Sequence, residues 1–262
     1  MDAVTAALLG AVQGLTEFLP VSSSGHLVLA KLALGNTAAS AEEDVAFSVL
    51  VHLGSLIAIL YVFRNDVLRI FWPRFDLQRA LFLVWVSLPA IIVGFSLKAF
   101  GLLDMLNDPW FTVGGLLLTS FALWWAERPR EETVHFDELS RRDFWRAGLV
   151  GLSQAIAILP GVSRSGSTIA TAVTLGWQRS DAVRLSFLMG LIALTGAGVL
   201  EAKDISELDP TSGSIGFASS LIFSLIGLTC VKLIVAKRKL RWFAAYTGLL
   251  AISVALLLLV RG

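Results

Sequence analysis

Six stretches of this chain are apolar for about as long as a bilayer core is thick, and that length decides the fold class before any motif is read. They run from Val45 to Phe63, Ala80 to Leu97, Trp110 to Ala126, Ala182 to Leu200, Ile215 to Val235 and Trp242 to Val260. Crossing about 30 Å of hydrocarbon takes roughly 20 apolar residues in a helix, so each block is expected to span the membrane as a helix. Hydrophobic residues form 56% of the sequence, against about 45–50% in ordinary globular domains, and the blocks leave no soluble domain of useful size. Trp110, Trp124, Trp125 and Trp242 stand at block ends, where interfacial aromatic anchors belong.

Two further apolar segments are too short to cross. Ala3 to Val12 and Leu27 to Gly35 flank a polar run, QGLTEFLPVSSSGH, from Gln13 to His26. Each flank reads as half of a segment that dips into the bilayer and returns, with the polar run as its tip. Backbone that leaves the helix at membrane depth is tolerated only where protein buries it or water fills a cavity. A second stretch, GLSQAIAILPGVSRSGST, lies over the first with a constant shift of 141 positions. Gly10, Gln13, Ser22, Ser24 and Gly25 then meet Gly151, Gln154, Ser163, Ser165 and Gly166.

One dipping segment and three crossings in each half make an odd number of passes, so the second half enters with the opposite orientation. The expected architecture is an all-α integral membrane protein with six transmembrane helices and two re-entrant helix-loop-helix segments in an inverted-topology repeat. It forms a single membrane domain over 1–262, with halves at about 1–130 and 143–262 joined by a loop at about 127–146. Loop charges agree. Sixteen Lys and Arg residues fall on one side, among them Arg64, Arg69, Arg74, Arg79, Arg128, Arg146, Arg184, Lys232 and Arg241, while the other side holds only Lys31, Lys98, Lys203 and Arg261. Positive charge accumulates in cytoplasmic loops, so both termini, the acidic EAKDISELD loop and the mouth of the first dipping segment are expected to face outward. The overall net charge of +1 gives no ground for a nucleic-acid partner. Cys230 stands alone, which excludes a disulfide framework or thiol metal site. An acidic first turn without a convincing cleavage site argues against a removable signal peptide.

Inside the expected membrane the ionisable residues away from block ends are Glu17, His26, His52 and Arg164. A charge in hydrocarbon costs a few kcal/mol even on lenient scales, so such groups pair or line a functional cavity. Arg164, among Ser163, Ser165, Ser167 and Thr168, offers a rigid fork of donors matched to phosphate oxygens. Neighbouring hydroxyls and helix N-terminal amides would complete an oxyanion cradle. Arg164 equally well neutralises Glu17 across the repeat interface. In the first tip, His26 either takes a proton from Ser23, making it a nucleophile, or attacks phosphorus itself. Glu17 either orients the imidazole or supplies oxygen to a divalent cation. Ser22, Ser23 and Ser24 also have a simpler reading, as caps on free amides of a broken helix. His52 is either a helix-packing histidine or a supporting neighbour of the site.

At these residues the chain resembles the bacterial undecaprenyl pyrophosphate phosphatase family, also called bacitracin-resistance proteins. The resemblance rests on Gln13 and Glu17 running on through FLPVSSSGH, and on Pro160 to Thr168 as PGxSRSxxT, and it covers essentially the whole chain. It implies hydrolysis of the terminal phosphate from a C55 polyprenyl diphosphate, regenerating the monophosphate carrier lipid for peptidoglycan synthesis at the bacterial plasma membrane. It also implies a divalent cation, Mg²⁺ or Ca²⁺, a homodimer, and catalytic weight on Glu17, Ser23, His26 and Arg164, with Ser163 and Thr168 near the phosphates. Where many members carry two acidic residues, position 13 is Gln, so one carboxylate, with help from Gln13 on the same helix face, would hold the metal together with substrate oxygens and water. The rival class is a transporter or flippase for an anionic lipid, which inverted repeats with broken helices also describe. A pure carrier needs binding groups but no nucleophile and base, and the Ser23, His26 and Glu17 cluster favours the enzyme.

Overall fold

The computed structural model describes every residue except 35–40, 73–74, 103–105, 107, 139, 202–208 and 262. Arg74, Lys203 and most of the acidic loop after Glu201 therefore lie outside the described residues. Among the described residues the regular secondary structure is all helix, apart from an isolated bridge between Val134 and Trp177.

Two short helix pairs of equal dimensions stand where the dipping segments are expected. α1 (Ala3–Phe18) and α2 (Ser23–Ala33) have 16 and 11 residues, as do α7 (Arg141–Ile156) and α8 (Arg164–Thr174). Each pair breaks at a tip carrying the polar motif. Start signals are local: the Asp2 carboxylate accepts from the amides of Val4 and Thr5, and the backbone N–H of Ser140 donates to Asp143 at 2.8 Å.

The six long blocks are α3 (Ala41–Val62), α5 (Leu77–Ala99), α6 (Pro109–Ala126), α9 (Arg179–Glu201), α10 (Pro210–Ala236) and α11 (Leu240–Arg261). Among the described residues five of them are long and apolar enough to cross a membrane. The exception is α6, at 18 residues, whose hydropathy is diluted by Thr112, Gly114, Gly115, Thr119 and Ser120. Outward faces such as Ile92, Leu249 and Val260, 56%, 66% and 86% exposed, need hydrocarbon around them. The protein is a multi-pass membrane protein.

A short amphipathic helix, α4 (Arg64–Phe71), adds to the elements expected from the sequence. It is part of a charged layer at the end of the bundle where the basic loops gather. Arg184 pairs with both Asp66 and Asp137, Arg79 with Asp76 and Asp137, and Arg179 with Glu127 at 2.8 Å. The Arg184 hydrogen bond holds the Asp137 carboxyl below its ordinary range. That stabilisation is present at neutral pH and fades only as pH falls through the depressed value.

Packing between long helices relies on small residues, as it must where lipid offers apolar contacts as good as protein does. α1 lies on α10 so closely that a Cβ on Gly10 would strike the Gly216 carbonyl, and one on Gly14 the Ser220 carbonyl. α10 is tied in turn to α3. Ser55 hydrogen-bonds Ser224 at 2.9 Å, and the Ser220 hydroxyl donates to the Val51 carbonyl at 2.6 Å. α7 packs on α5 in the same manner, Gly151 against the Val86 carbonyl. The substitution Gly14→Val should overpack this seam and cost about 1–3 kcal/mol. A lowered thermal midpoint in detergent would register it, with Gly114→Ala, whose Cβ meets nothing within 4 Å, as the neutral comparison.

Candidate active site

The two tips meet tip to tip. The Ser165 hydroxyl donates to the Leu19 carbonyl at 3.2 Å, and Gly166 packs against Pro20. Between them lies a cavity of about 300 Å³, lined by Glu17, Ser22, Ser23 and Ser24 from one tip and by Ser163 and Arg164 from the other. Ser23 and Arg164 occupy matching positions, each the first residue of its second helix.

Glu17 is the hub. Its Oε1 accepts from Arg164 Nη2 at 2.6 Å, and its Oε2 accepts from Ser23 Oγ at 2.8 Å and from Gln13 Nε2 at 2.9 Å. His52 Nε2 stands 3.8 Å from Oε2, while its Nδ1–H donates to the Ser48 carbonyl at 2.7 Å. His52 thus satisfies Nδ1 within its own helix and also stands beside Glu17, so both readings left open by the sequence describe it. The Arg164–Glu17 pair is nearly buried, the side chains 15% and 7% exposed.

Arg164 fits because of a residue that carries no signal in the sequence. Gly190 on α9 faces the guanidinium, and a Cβ there would fall on Nη1. Arg164 Nη1 also donates to the Ser186 carbonyl at 3.4 Å. Ser186 is joined by a 2.7 Å bond to Thr168, whose hydroxyl is also 2.7 Å from the Arg164 carbonyl.

The expected phosphate cradle is only partly assembled. Ser22, Ser163 and Arg164 line the cavity, but Ser165 and Thr168 are buried behind it. Ser165 stitches the two tips and Thr168 fixes the Arg164 backbone to α9. The amides expected to face an anion are also fewer. Gly166 N–H donates to Ser163 Oγ at 3.0 Å and Ser167 N–H to the Ser163 carbonyl at 2.8 Å. Those of Arg164 and Ser165 have no hydrogen-bond acceptor among the described residues.

His26 is not where nucleophilic or base chemistry on Ser23 requires it. Its Nδ1–H donates to the Ser22 carbonyl at 2.7 Å, which leaves Nε2 to accept from the Tyr246 hydroxyl at 2.6 Å. The two rings stack, centroids 5.6 Å apart. Both nitrogens are therefore engaged away from Ser23, and Glu17 makes no hydrogen bond to the imidazole. Ser22, held by His26, has a φ of 70°, a left-handed conformation that a serine adopts only when its surroundings impose it. Tyr246, on the last helix, carries no sequence signal that links it to the first tip.

For a divalent cation the donors are sparse. Among the described residues no cluster of three His, Cys, Asp or Glu exists. Gln13 Oε1, however, is buried without a partner beside Glu17. A carboxylate has about four lone-pair sites, and three on Glu17 are taken. One carboxylate oxygen and one amide oxygen suit a cation that takes its other ligands from phosphate and water.

Comparison with known proteins follows the same residues. The sequence pattern described as "Bacitracin resistance protein BacA" matches residues 6–253. The chain belongs to that family. It is 39% identical to the undecaprenyl-diphosphatase of Christiangramia forsetii over 97% of this chain and 99% of that protein. Identity is 35% to the undecaprenyl-diphosphatase of Carboxydothermus hydrogenoformans, over 98% of each chain, and 34% to that of Methanosphaera stadtmanae, again over 98% of each.

The family assignment makes the packing of Arg164 a testable matter. Gly190→Ala should push the guanidinium aside by about an ångström, a displacement that can cost on the order of 100-fold in rate. Turnover of a polyprenyl diphosphate in detergent, at matched expression, would show the loss, and Gly190→Ala at wild-type rate would refute this fit.

Proposed function

We infer that the chain is an undecaprenyl-diphosphatase, hydrolysing the terminal phosphate of a C55 polyprenyl diphosphate to the monophosphate carrier lipid. The observation that carries this reading is the Ser23 hydroxyl hydrogen-bonded to a carboxylate that is itself clamped by Arg164, all facing one cavity within a membrane protein. A carrier of anionic lipids has use for Arg164 but none for a hydroxyl poised on a base.

The terminal phosphate sits against Arg164, whose planar fork matches two phosphate oxygens. Glu17 takes the Ser23 proton as Oγ attacks phosphorus, the anhydride bond breaks, and the polyprenyl monophosphate leaves with the proton that Glu17 returns. Water then attacks the phosphoseryl group with Glu17 again as base. Serine recovers its proton and inorganic phosphate departs. Most of the rate comes from positioning and charge, as in phosphoryl transfer generally. His26 acts through Ser22, pinning the turn that presents Ser23. Gln13 Oε1, buried without a partner, and Glu17 would hold a Mg²⁺ or Ca²⁺ ion, which when bound would neutralise phosphate charge.

The finer topology belongs to the same proposal: six crossings, two re-entrant segments and an inverted repeat of about 1–130 and 143–262. Its support is the exchange of roles between halves. α1 rests on α10 as α7 rests on α5, both tips have 16- and 11-residue arms, and Ser22–Ser24 at 3.3 Å is matched by Ser163–Ser165 at 3.2 Å. The basic side, with its ion pairs, is placed in the cytoplasm, which sets both termini and the cavity mouth outside. A homodimer is proposed on family resemblance alone.

Arg164→Lys keeps the charge and loses the fork, so kcat should fall by about 10²–10³-fold, the scale of removing one well-placed donor from a charged transition state. Phosphate release from polyprenyl diphosphate in detergent, with and without chelator, measures this and the cation requirement together. Quenched turnover should leave acid-stable phosphate on the wild-type enzyme and none on Ser23→Ala. Acid-labile phosphate on His26 would reject the serine route.

A further inference from the structure

The two halves differ at a helix seam where their symmetry predicts likeness. Laying the Val86 contact of Gly151 on the Gly216 contact of Gly10 sets Ala90 and Gly94 of α5 opposite Ser220 and Ser224 of α10. In α10 those serines fill and bond the seam with α3. In α5 the smaller residues leave it open, and a chamber of about 510 Å³ lies between α5, α7 and α9. That volume is within the usual range of small-molecule sites, about 300–1,000 Å³.

The chamber adjoins the catalytic cavity. Arg164, Ala157 and Ile158 line both. Its walls are mainly apolar, including Ile91 and Phe95 of α5, 49% and 66% exposed and so open to the bilayer. Polar groups sit at its two ends. The inner end has Arg164 with the Ser87 hydroxyl and Gln154 Oε1, both buried and both without a hydrogen-bond partner. The other end has Lys98, in the last turn of α5, whose ammonium has no ion-pair partner among the described residues.

An apolar passage with a lysine at its mouth, an arginine at its depth and unsatisfied polar atoms beside the latter is a path for an amphiphile led by an anion. A purely hydrocarbon guest would leave Ser87 and Gln154 unsatisfied, and a soluble anion has no use for the apolar walls. We propose that this chamber receives the head-proximal isoprene units of the polyprenyl diphosphate. Lys98 meets the headgroup first, Arg164 holds it, and the remaining chain runs out to lipid between α5 and α9. This rests on the phosphatase reading and adds to it the element that selects chain-bearing substrates. The Ser55, Ser220 and Ser224 seam fills the corresponding place in the other half.

Gly196 lines the chamber, and a Cβ added to it would meet nothing within 4 Å, so Gly196→Trp fills the space without a backbone clash. The kcat/KM ratio of farnesyl diphosphate to dimethylallyl diphosphate should fall by at least about tenfold, the scale set by lost methylene contacts in an apolar pocket. Equal losses for the two substrates, or no loss, would overturn the proposal. A second measurement needs no turnover. With Cys230→Ala as background, Ala193→Cys should react with a maleimide, and farnesyl monophosphate should slow that labelling while inorganic phosphate does not. Protection without any wild-type hydrolysis would keep the chamber and remove the phosphatase. Hydrolysis without protection would keep the phosphatase and remove the chamber.

Discussion

A single buried ion pair organises this protein. Glu17 and Arg164 come from opposite halves of the sequence and meet at 2.6 Å between two broken helices. Each is the other's charge partner in a nearly buried site. Removing one member of such a pair costs about 3–5 kcal/mol, because the other is stranded in a low dielectric. The requirement reaches outward. Gly190 leaves room for the guanidinium, Thr168 and Ser186 hold its backbone, and Gln13 and Ser23 both donate to Glu17 Oε2. In the proposed mechanism the pair is also what a substrate phosphate partly displaces. An anion that takes over a guanidinium from a carboxylate leaves that carboxylate freer to accept a proton from Ser23. Structural necessity and catalytic readiness thus reside in the same contact.

The scaffold holds this contact by being nearly symmetric and usefully imperfect. Two tips of equal build approach each other, so the first residues of α2 and α8 face one another across the cavity. Arms of equal length bring the two tips together at one cavity. The departures are chemical. Ser23 opposes Arg164, Gln13 touches a carboxylate where Gln154 does not, and α10 is cemented by serines where α5 is not. Each difference puts reactive or yielding character on one side and a fixed support on the other.

Much of this is legible in the chain itself. The long apolar blocks end within a few residues of the observed helices, because hydrocarbon length and helix rise leave little freedom. Glu17, Ser23 and Arg164 declare themselves as polar groups that the membrane would not tolerate without a purpose. What stays hidden depends on tertiary partners. α4 has eight residues and a mixed pattern, and it forms where Asp66 can reach Arg184. Gly190 is one glycine among many until a guanidinium lies on it. His26 looks like a base because it lies three residues from Ser23, but one helical turn in sequence does not fix where a ring points, and Tyr246, 220 positions away, takes its free nitrogen. Ser165 and Thr168 belong to the same motif as Arg164, yet helical geometry turns them from the cavity toward the Leu19 carbonyl and α9.

The displaced histidine bears on how the nucleophile is made ready. A serine deprotonated by imidazole needs that ring within one hydrogen bond, and here the ring is spent on holding the Ser22 carbonyl. What it secures is the left-handed turn at Ser22, a conformation with no intrinsic favour for serine. Without that turn α2 would not begin at Ser23, and Oγ would not lie 2.8 Å from Glu17. The Ser22 carbonyl, which can only accept, fixes the tautomer, and the Tyr246 hydroxyl donates to the Nε2 left over, so the last helix reaches the first tip through one proton. Preorganisation of this kind places the reacting hydroxyl before substrate arrives. In the proposed mechanism it also lets a carboxylate held by an arginine serve as base, since the phosphate that claims Arg164 releases Glu17 in the same movement.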